Sequence, residues 1–163
     1  MASWAEIAAA EPSFAAAVRA RFDAHVHKTM ATLRADGSPR ISGIEATFGS
    51  DELWLGMMPD SRKVADLARD PRVALHSGTI DTELNEGDAK IAGRVELLDA
   101  PEAFAAFRQA RGDRADDDPE AGSFPLFRVD IAEVVLLRVG DPRDHLVIET
   151  WREGAGLSRV ERR

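Results

Sequence analysis

The sequence predicts a mainly β, α+β fold: an antiparallel β-barrel, closed or nearly closed, with flanking helices. Ala89, Ile91, Gly93, Val95 and Leu97 alternate with Lys90, Ala92, Arg94 and Glu96, the clearest period-two pattern in the chain. Such alternation marks a strand with one buried and one polar face. About seven short extended runs follow one another between clusters of Gly, Pro, Asp and Ser, and a barrel removes the edges that so many strands would otherwise expose. Helical spacing occurs at the N-terminus, after the third strand and after the fifth.

Residues 3–24 form an alanine-rich helical opening, with Trp4, Ile7 and Ala8 on one turn and Phe14, Val18 and Phe22 at helical spacing. Pro12 has no N–H for a helix interior, so two short helices are predicted rather than one. His27–Ala35 is expected as a strand, Asp36-Gly37-Ser38-Pro39 as its turn and Arg40–Phe48 as the returning strand. Ser42-Gly43 interrupts that strand, and glycine there marks a bulge or a close approach to the backbone. After Gly49-Ser50-Asp51, the run Glu52–Met57 makes a third strand, so the three form a meander. Ser61–Asp70 is a short helix with Val64, Leu67 and Ala68 inward and Pro71 as its stop.

Val73–Ser77 reads as a buried strand and residues 78–88 as an exposed loop before the alternating strand. Ala100–Arg111 is an amphipathic helix with Phe104 and Phe107 inward, followed by a charged loop over 112–123. Phe124–Val139 is a long β-branched strand whose alternation slips at Ala132-Glu133, which predicts a bend. His145–Trp151 closes the sheet and residues 153–163 trail as a polar tail. The 163 residues suit one domain, 1–163, with no internal repeat.

Composition narrows the function. There are 29 acidic and 21 basic residues, a net charge of -8, whereas nucleic-acid recognition leans on phosphate neutralisation by a basic face. Nucleic acid is not an expected partner. The chain has no cysteine, which excludes disulfides, thiolate metal sites and a cysteine nucleophile. No apolar run approaches the ~20 residues of a membrane helix, and the N-terminus lacks the basic and apolar regions of a signal peptide. A soluble, cytoplasmic protein without a membrane partner is expected.

The richest candidate for chemistry is Pro59-Asp60-Ser61-Arg62-Lys63-Val64. Asp60 or Ser61 is a good N-cap, which puts Arg62 and Lys63 in the first helical turn, where the helix dipole already presents positive charge. A bound anion would reverse that local repulsion, using free N–H groups, the Ser61 hydroxyl, a guanidinium and an ammonium. The alternative is that both cations extend into solvent or pair with Asp60 and Asp66. His25 and His27, two apart, share a strand face suited to a metal or are simply polar rings at a helix-to-strand junction. His76 is a core histidine or a pocket wall. Asp116-Asp117-Asp118 with Glu120 suits a divalent cation or a solvated loop. Trp54 and Trp151 suit ring stacking or packing. No metal is assigned, and no side chain stands out as a general acid or base.

The order of elements together with three segments resembles the pyridoxamine 5'-phosphate oxidase-like family, with its FMN-binding split barrel. These segments are the hairpin Thr29-Met-Ala-Thr-Leu-Arg-Ala-Asp-Gly-Ser-Pro-Arg-Ile-Ser-Gly-Ile, then Leu53-Trp-Leu-Gly-Met-Met, then Ser61-Arg-Lys-Val-Ala-Asp-Leu-Ala-Arg-Asp-Pro-Arg-Val-Ala-Leu. The likeness covers about residues 27–97 well, and the rest by element order alone. It implies a homodimer of split barrels with two flavin sites at the interface. It also implies that Ser61, Arg62 and Lys63 hold the cofactor phosphate, and that Arg40, Ile41, Ser42, Gly43, Met57 and Met58 lie against its ribityl and ring. Lys90 and His76-Ser77 transfer by strand order only.

The late strand reads Val135-Leu-Leu-Arg and the chain ends Ser158-Arg-Val-Glu-Arg-Arg, unlike the substrate-holding C-terminus of authentic pyridoxamine phosphate oxidases. The expectation is an oxidoreductase that exchanges a hydride with a small organic substrate. Its cofactor is FMN or the deazaflavin coenzyme F-420, which share a phosphate and a planar tricyclic ring. The alternative is a module that binds flavin, deazaflavin or haem without turnover.

Overall fold

Ser3 opens the first helix by a reciprocal cap: its hydroxyl accepts the Glu6 N–H at 3.3 Å, and the Glu6 carboxylate accepts the Ser3 N–H at 2.7 Å. The computed structural model describes residues 2–112 and 120–163. As the sequence predicts, Pro12 divides the N-terminal segment into α1 (Trp4–Ala10) and α2 (Pro12–Asp23). The remaining elements are β1 (Lys28–Leu33), β2 (Pro39–Ile44), β3 (Ala46–Phe48), β4 (Leu53–Gly56), α3 (Arg62–Arg69), β5 (Arg72–His76), β6 (Asp88–Leu98), α4 (Pro101–Arg111), β7 (Leu126–Val139), β8 (Leu146–Arg152) and β9 (Gly156–Arg162).

The expected strand Arg40–Phe48 is two strands. β2 pairs with β1, whereas β3 pairs with β4, and β4 pairs with β7. The sheet therefore runs β2-β1-β5-β6-β7-β4-β3, all antiparallel, so β2 and β3 sit at its two ends although only Glu45 separates them in sequence. This corrects the meander. The chain itself bridges the two edges of the sheet at Glu45, and the barrel is split there. The expected polar tail is also different: Gly156–Arg162 pairs along its length with β8, which extends the sheet beyond β7.

The bend predicted at Ala132-Glu133 is a bulge. Ala92 lies opposite Glu133 and Gly93 opposite Ile131, which leaves Ala132 unpaired. Gly93 makes this possible, because a Cβ there would lie 2.1 Å from the Asp130 carbonyl oxygen.

Inside the barrel, α1 and α2 insert Trp4, Ile7, Val18 and Phe22 among Met30, Leu53, Leu55, Ile91, Val129 and Ile131, all buried. Trp4 meets the Phe48 ring edge-on at 4.7 Å, and Phe22 meets it at 5.5 Å. A second cluster forms where α4 lays Phe104 and Phe107 against Trp54, Phe124 and Leu126. Trp54 and Trp151 are thus packing residues, 6% and 7% exposed.

Helix α3 is fastened to the sheet by one buried carboxylate. Asp66 accepts hydrogen bonds from Thr32 of β1 at 2.9 Å, Arg40 of β2 at 2.6 Å and Arg69 of α3 at 3.1 Å. Arg69 also donates to the Leu33 carbonyl at 2.6 Å. The Arg40 guanidinium, chiefly, holds the Asp66 carboxyl down from 3.8 to about 2, against the opposing effect of burial.

Two predictions follow from this packing. Gly93→Ala is expected to cost about 2 kcal/mol or more in urea unfolding, because its neighbour is backbone, whereas Gly43→Ala, in open space, stays within about 0.5 kcal/mol. Asp66→Ala, which leaves Arg40 uncompensated, is expected to cost about 3 kcal/mol. A folded-state carboxyl below its unfolded value stabilises above the unfolded pKa. The Asp66 contribution is therefore complete above pH 3.8 and lost as pH falls towards about 2. Unfolding measured across that window is expected to show a shallower acid dependence in the variant, and an unchanged slope would refute the clamp.

Candidate functional site

The split in the barrel opens a cleft of about 540 Å³. Its walls come from the end of β2 and the break after it (Gly43, Ile44, Glu45), the segment after β4 (Met57, Met58, Pro59), the start of α3 (Lys63), the end of α4 (Phe107, Arg111) and the approach to β7 (Ser123, Phe124), with His27 at its edge. The size and mostly apolar lining are those of a small-molecule or cofactor site.

Ser61 is the N-cap of α3, yet its side chain makes no capping hydrogen bond. The hydroxyl oxygen is buried with no hydrogen-bond partner, an arrangement that costs free energy unless a ligand satisfies it. The first turn of α3 holds no acidic residue. Among the described residues Arg62 is exposed and engages neither Asp60 nor Asp66, the latter being spent on Arg40 and Arg69. Lys63 crosses the cleft to donate to the Gly43 carbonyl at 2.6 Å, and desolvation lowers its pKa. The first turn of α3 thus carries two cations and an orphaned hydroxyl at the positive end of a helix dipole, close in sequence to the cleft residues Met58 and Pro59. A phosphate fits this donor set.

Of the residues expected at a cofactor, Gly43, Met57, Met58 and Lys63 line the cleft, whereas Ser61 and Arg62, next to Lys63 in sequence, are not among its lining residues. A Cβ on Gly43 would meet nothing within 4 Å, so the close approach expected there is not to another part of the chain. Arg40 does not line the cleft, because its guanidinium is committed to Asp66. Ile41, 76% exposed, and the half-buried Ser42 lie on β2 outside the lining. Lys90 is exposed on β6 opposite His76, away from the lining.

His76 is neither a core residue nor a wall of this cleft. Its Nδ1 accepts the Gly78 N–H at 3.0 Å, and its Nε2 lies 3.4 Å from Asp88. His25 and His27 are not joined by a further ligand: no group of three His, Asp or Glu suited to a metal exists among the described residues. The run Asp116-Asp117-Asp118 lies outside the described residues, and Glu120 is exposed.

Glu45, Phe107, Arg111, Ser123 and Phe124 were not legible as site residues. Arg111 pairs with Glu45 at 2.8 Å, with its guanidinium 5.6 Å from the Phe107 ring centroid, and His27 Nε2 stands 4.0 Å from the other Glu45 oxygen. The available signal was a carboxylate in the middle of a run that otherwise alternates as a strand. No helix among the described residues is long and apolar enough to cross a membrane.

Comparison with known proteins agrees with this geometry. The chain matches none of the curated proteins. Among solved structures it resembles a pyridoxamine 5'-phosphate oxidase-related, FMN-binding protein from Nostoc punctiforme, with a TM-score of 0.66 and 15% identity over 94% of this chain and 96% of that one. It also resembles PhzG from Burkholderia lata, solved with tetrahydrophenazine-1-carboxylic acid, with a TM-score of 0.64 and 15% identity over 96% and 91%. A haem-binding protein from Mycobacterium smegmatis gives a TM-score of 0.57 and 17% identity over 90% and 87%. These likenesses establish a shared split-barrel fold. The family model for pyridoxamine 5'-phosphate oxidase matches residues 14–138, so this chain belongs to the pyridoxamine 5'-phosphate oxidase family.

Proposed function

We propose that this protein is an oxidoreductase that holds FMN or the deazaflavin coenzyme F-420 in the cleft at the barrel split and exchanges a hydride with a small organic substrate. The observation that carries this reading is the buried, unpartnered Ser61 hydroxyl at the N-terminus of α3, whose first turn offers Arg62 and Lys63 but no acid. Phosphate oxygens would take hydrogen bonds from Ser61 and the helix N–H groups and charge from Arg62 and Lys63. Lys63 would exchange the Gly43 carbonyl for the phosphate, and its desolvated ammonium gains most from an anionic partner.

When bound, such a cofactor supplies a ring that accepts or donates hydride, and the protein supplies position and electrostatics. Met57, Phe107 and Phe124 exclude water from one side of the cleft, and the Arg111–Glu45 pair gives its far wall a polar, charge-balanced surface. The proposal extends to a homodimer. Met58 in the cleft lining and Ile41 on β2, 78% and 76% exposed, present apolar surface that a second copy would cover.

A second reading has one observation in its favour. The His27 ring stands 79% exposed at the cleft edge, where it would be free to ligate a haem iron, and the similar structure from Mycobacterium smegmatis is of a haem-binding protein. A near-ultraviolet and visible absorption spectrum, followed by parallel titrations with FMN, the deazaflavin coenzyme and haem, separates these readings.

The double variant Arg62→Ala/Lys63→Ala is expected to weaken FMN or deazaflavin binding about 100-fold or more, with the thermal midpoint within about 3 °C of wild type. Unchanged cofactor affinity in this variant would sink the phosphate assignment.

A further inference from the structure

A second cavity, of about 810 Å³, lies between α3 and α4 and shares Pro59, Ser123 and Phe124 with the cofactor cleft. Its lining is almost wholly hydrocarbon. Val64, Leu67 and Ala68 come from one face of α3, Val95, Leu97 and Leu98 from the end of β6, and Phe104 and Phe127 close the floor. Among the described residues Asp99 is the one charged side chain that lines it. Leu97 stands 62% exposed on its rim, although the neighbouring Val95, Phe104 and Phe127 are buried. A concave apolar trough of this size, open to water, carries a free-energy cost that an apolar occupant removes.

We propose that this trough binds the aliphatic chain of an amphiphilic substrate whose reactive head lies in the adjoining cleft. The inference rests on the reading of that cleft as the cofactor site. Three features select such an occupant. The trough adjoins the cleft at Pro59, Ser123 and Phe124, which line both, so a molecule that passes these residues would reach both. Its walls offer aliphatic and aromatic carbon but few polar partners, which suits a chain without polar groups. The polar groups set the direction: the Arg111–Glu45 pair lies in the cleft, whereas Asp99 is the one charged side chain on the trough among the described residues, so a polar head is favoured only in the cleft.

The test uses the full chain without cofactor. Displacement of a fluorescent polyene fatty acid by saturated fatty acids of about six to sixteen carbons measures chain binding directly, with each methylene buried in the trough expected to tighten binding about fourfold until the trough is filled. Ala68→Trp fills the trough from an exposed helix position, and Leu97→Glu places a charge on its rim, both away from the core. Each is expected to weaken chain binding about tenfold or more and to leave FMN and deazaflavin affinities within about twofold of wild type.

Affinity independent of chain length, or wild-type chain binding in both variants, would overturn the inference. So would a dimer that binds no chain and that either variant converts to monomer, because the trough would then be a subunit contact. Chain binding by a protein that takes up neither FMN nor the deazaflavin coenzyme would leave the apolar site standing and overturn the cofactor reading alone.

Discussion

A single buried carboxylate positions the chemistry of this protein. Asp66 collects Thr32, Arg40 and Arg69, and by doing so fixes the first turn of α3 relative to β1 and β2. A buried charge survives only with good partners, and these come from three different elements, so the helix cannot shift without breaking hydrogen bonds in the sheet. The clamp also settles which cations remain available. Arg40 and Arg69 are consumed by Asp66, whereas Lys63 lines the cleft and Arg62 stands exposed beside it in a first helical turn that holds no acid. The proposed anion site would thus depend as much on where the acid is spent as on where the bases stand.

The second constraint is topological. Because β2 and β3 lie at opposite ends of the sheet yet are joined through Glu45, the chain spans the gap that separates the sheet edges. β2 has a strand neighbour on one side only, so at that gap Gly43, Ile44 and Glu45 become the wall of a cleft. The aromatic cluster of α4 closes the opposite wall, and the long β7 serves both β4 and β8 by changing register at Ala132. The core, the bulge and the split therefore act together to leave room for the cleft.

Local pattern was legible wherever one residue's chemistry decided the outcome. Pro12 divided two helices, Ala132-Glu133 marked a register slip, and alternation in Ala89–Leu97 identified the central strand. The Ser61-Arg62-Lys63 turn was legible because two cations at a helix start are self-repelling unless something anionic is near. What escaped was partnership. Nothing in the run Arg40–Phe48 says that its halves pair with different strands, β2 with β1 and β3 with β4. Nothing in residues 153–163 says that a polar, charged segment becomes a strand, because β9 is held by backbone pairing to β8 rather than by burial of its side chains.

The sequence by itself determined the antiparallel β class, the helical flanks and the cationic turn, all of which depend on spacing and charge within a few residues. The tertiary structure alone decided that Arg40 serves Asp66 and not the cleft, that Glu45 and Arg111 meet across 66 positions, and that an apolar trough adjoins the candidate cofactor site. The physical reason is that hydrogen-bond partners and cavity walls come from segments distant in sequence. Their encounter is set by strand order and closure of the barrel, which local pattern does not encode.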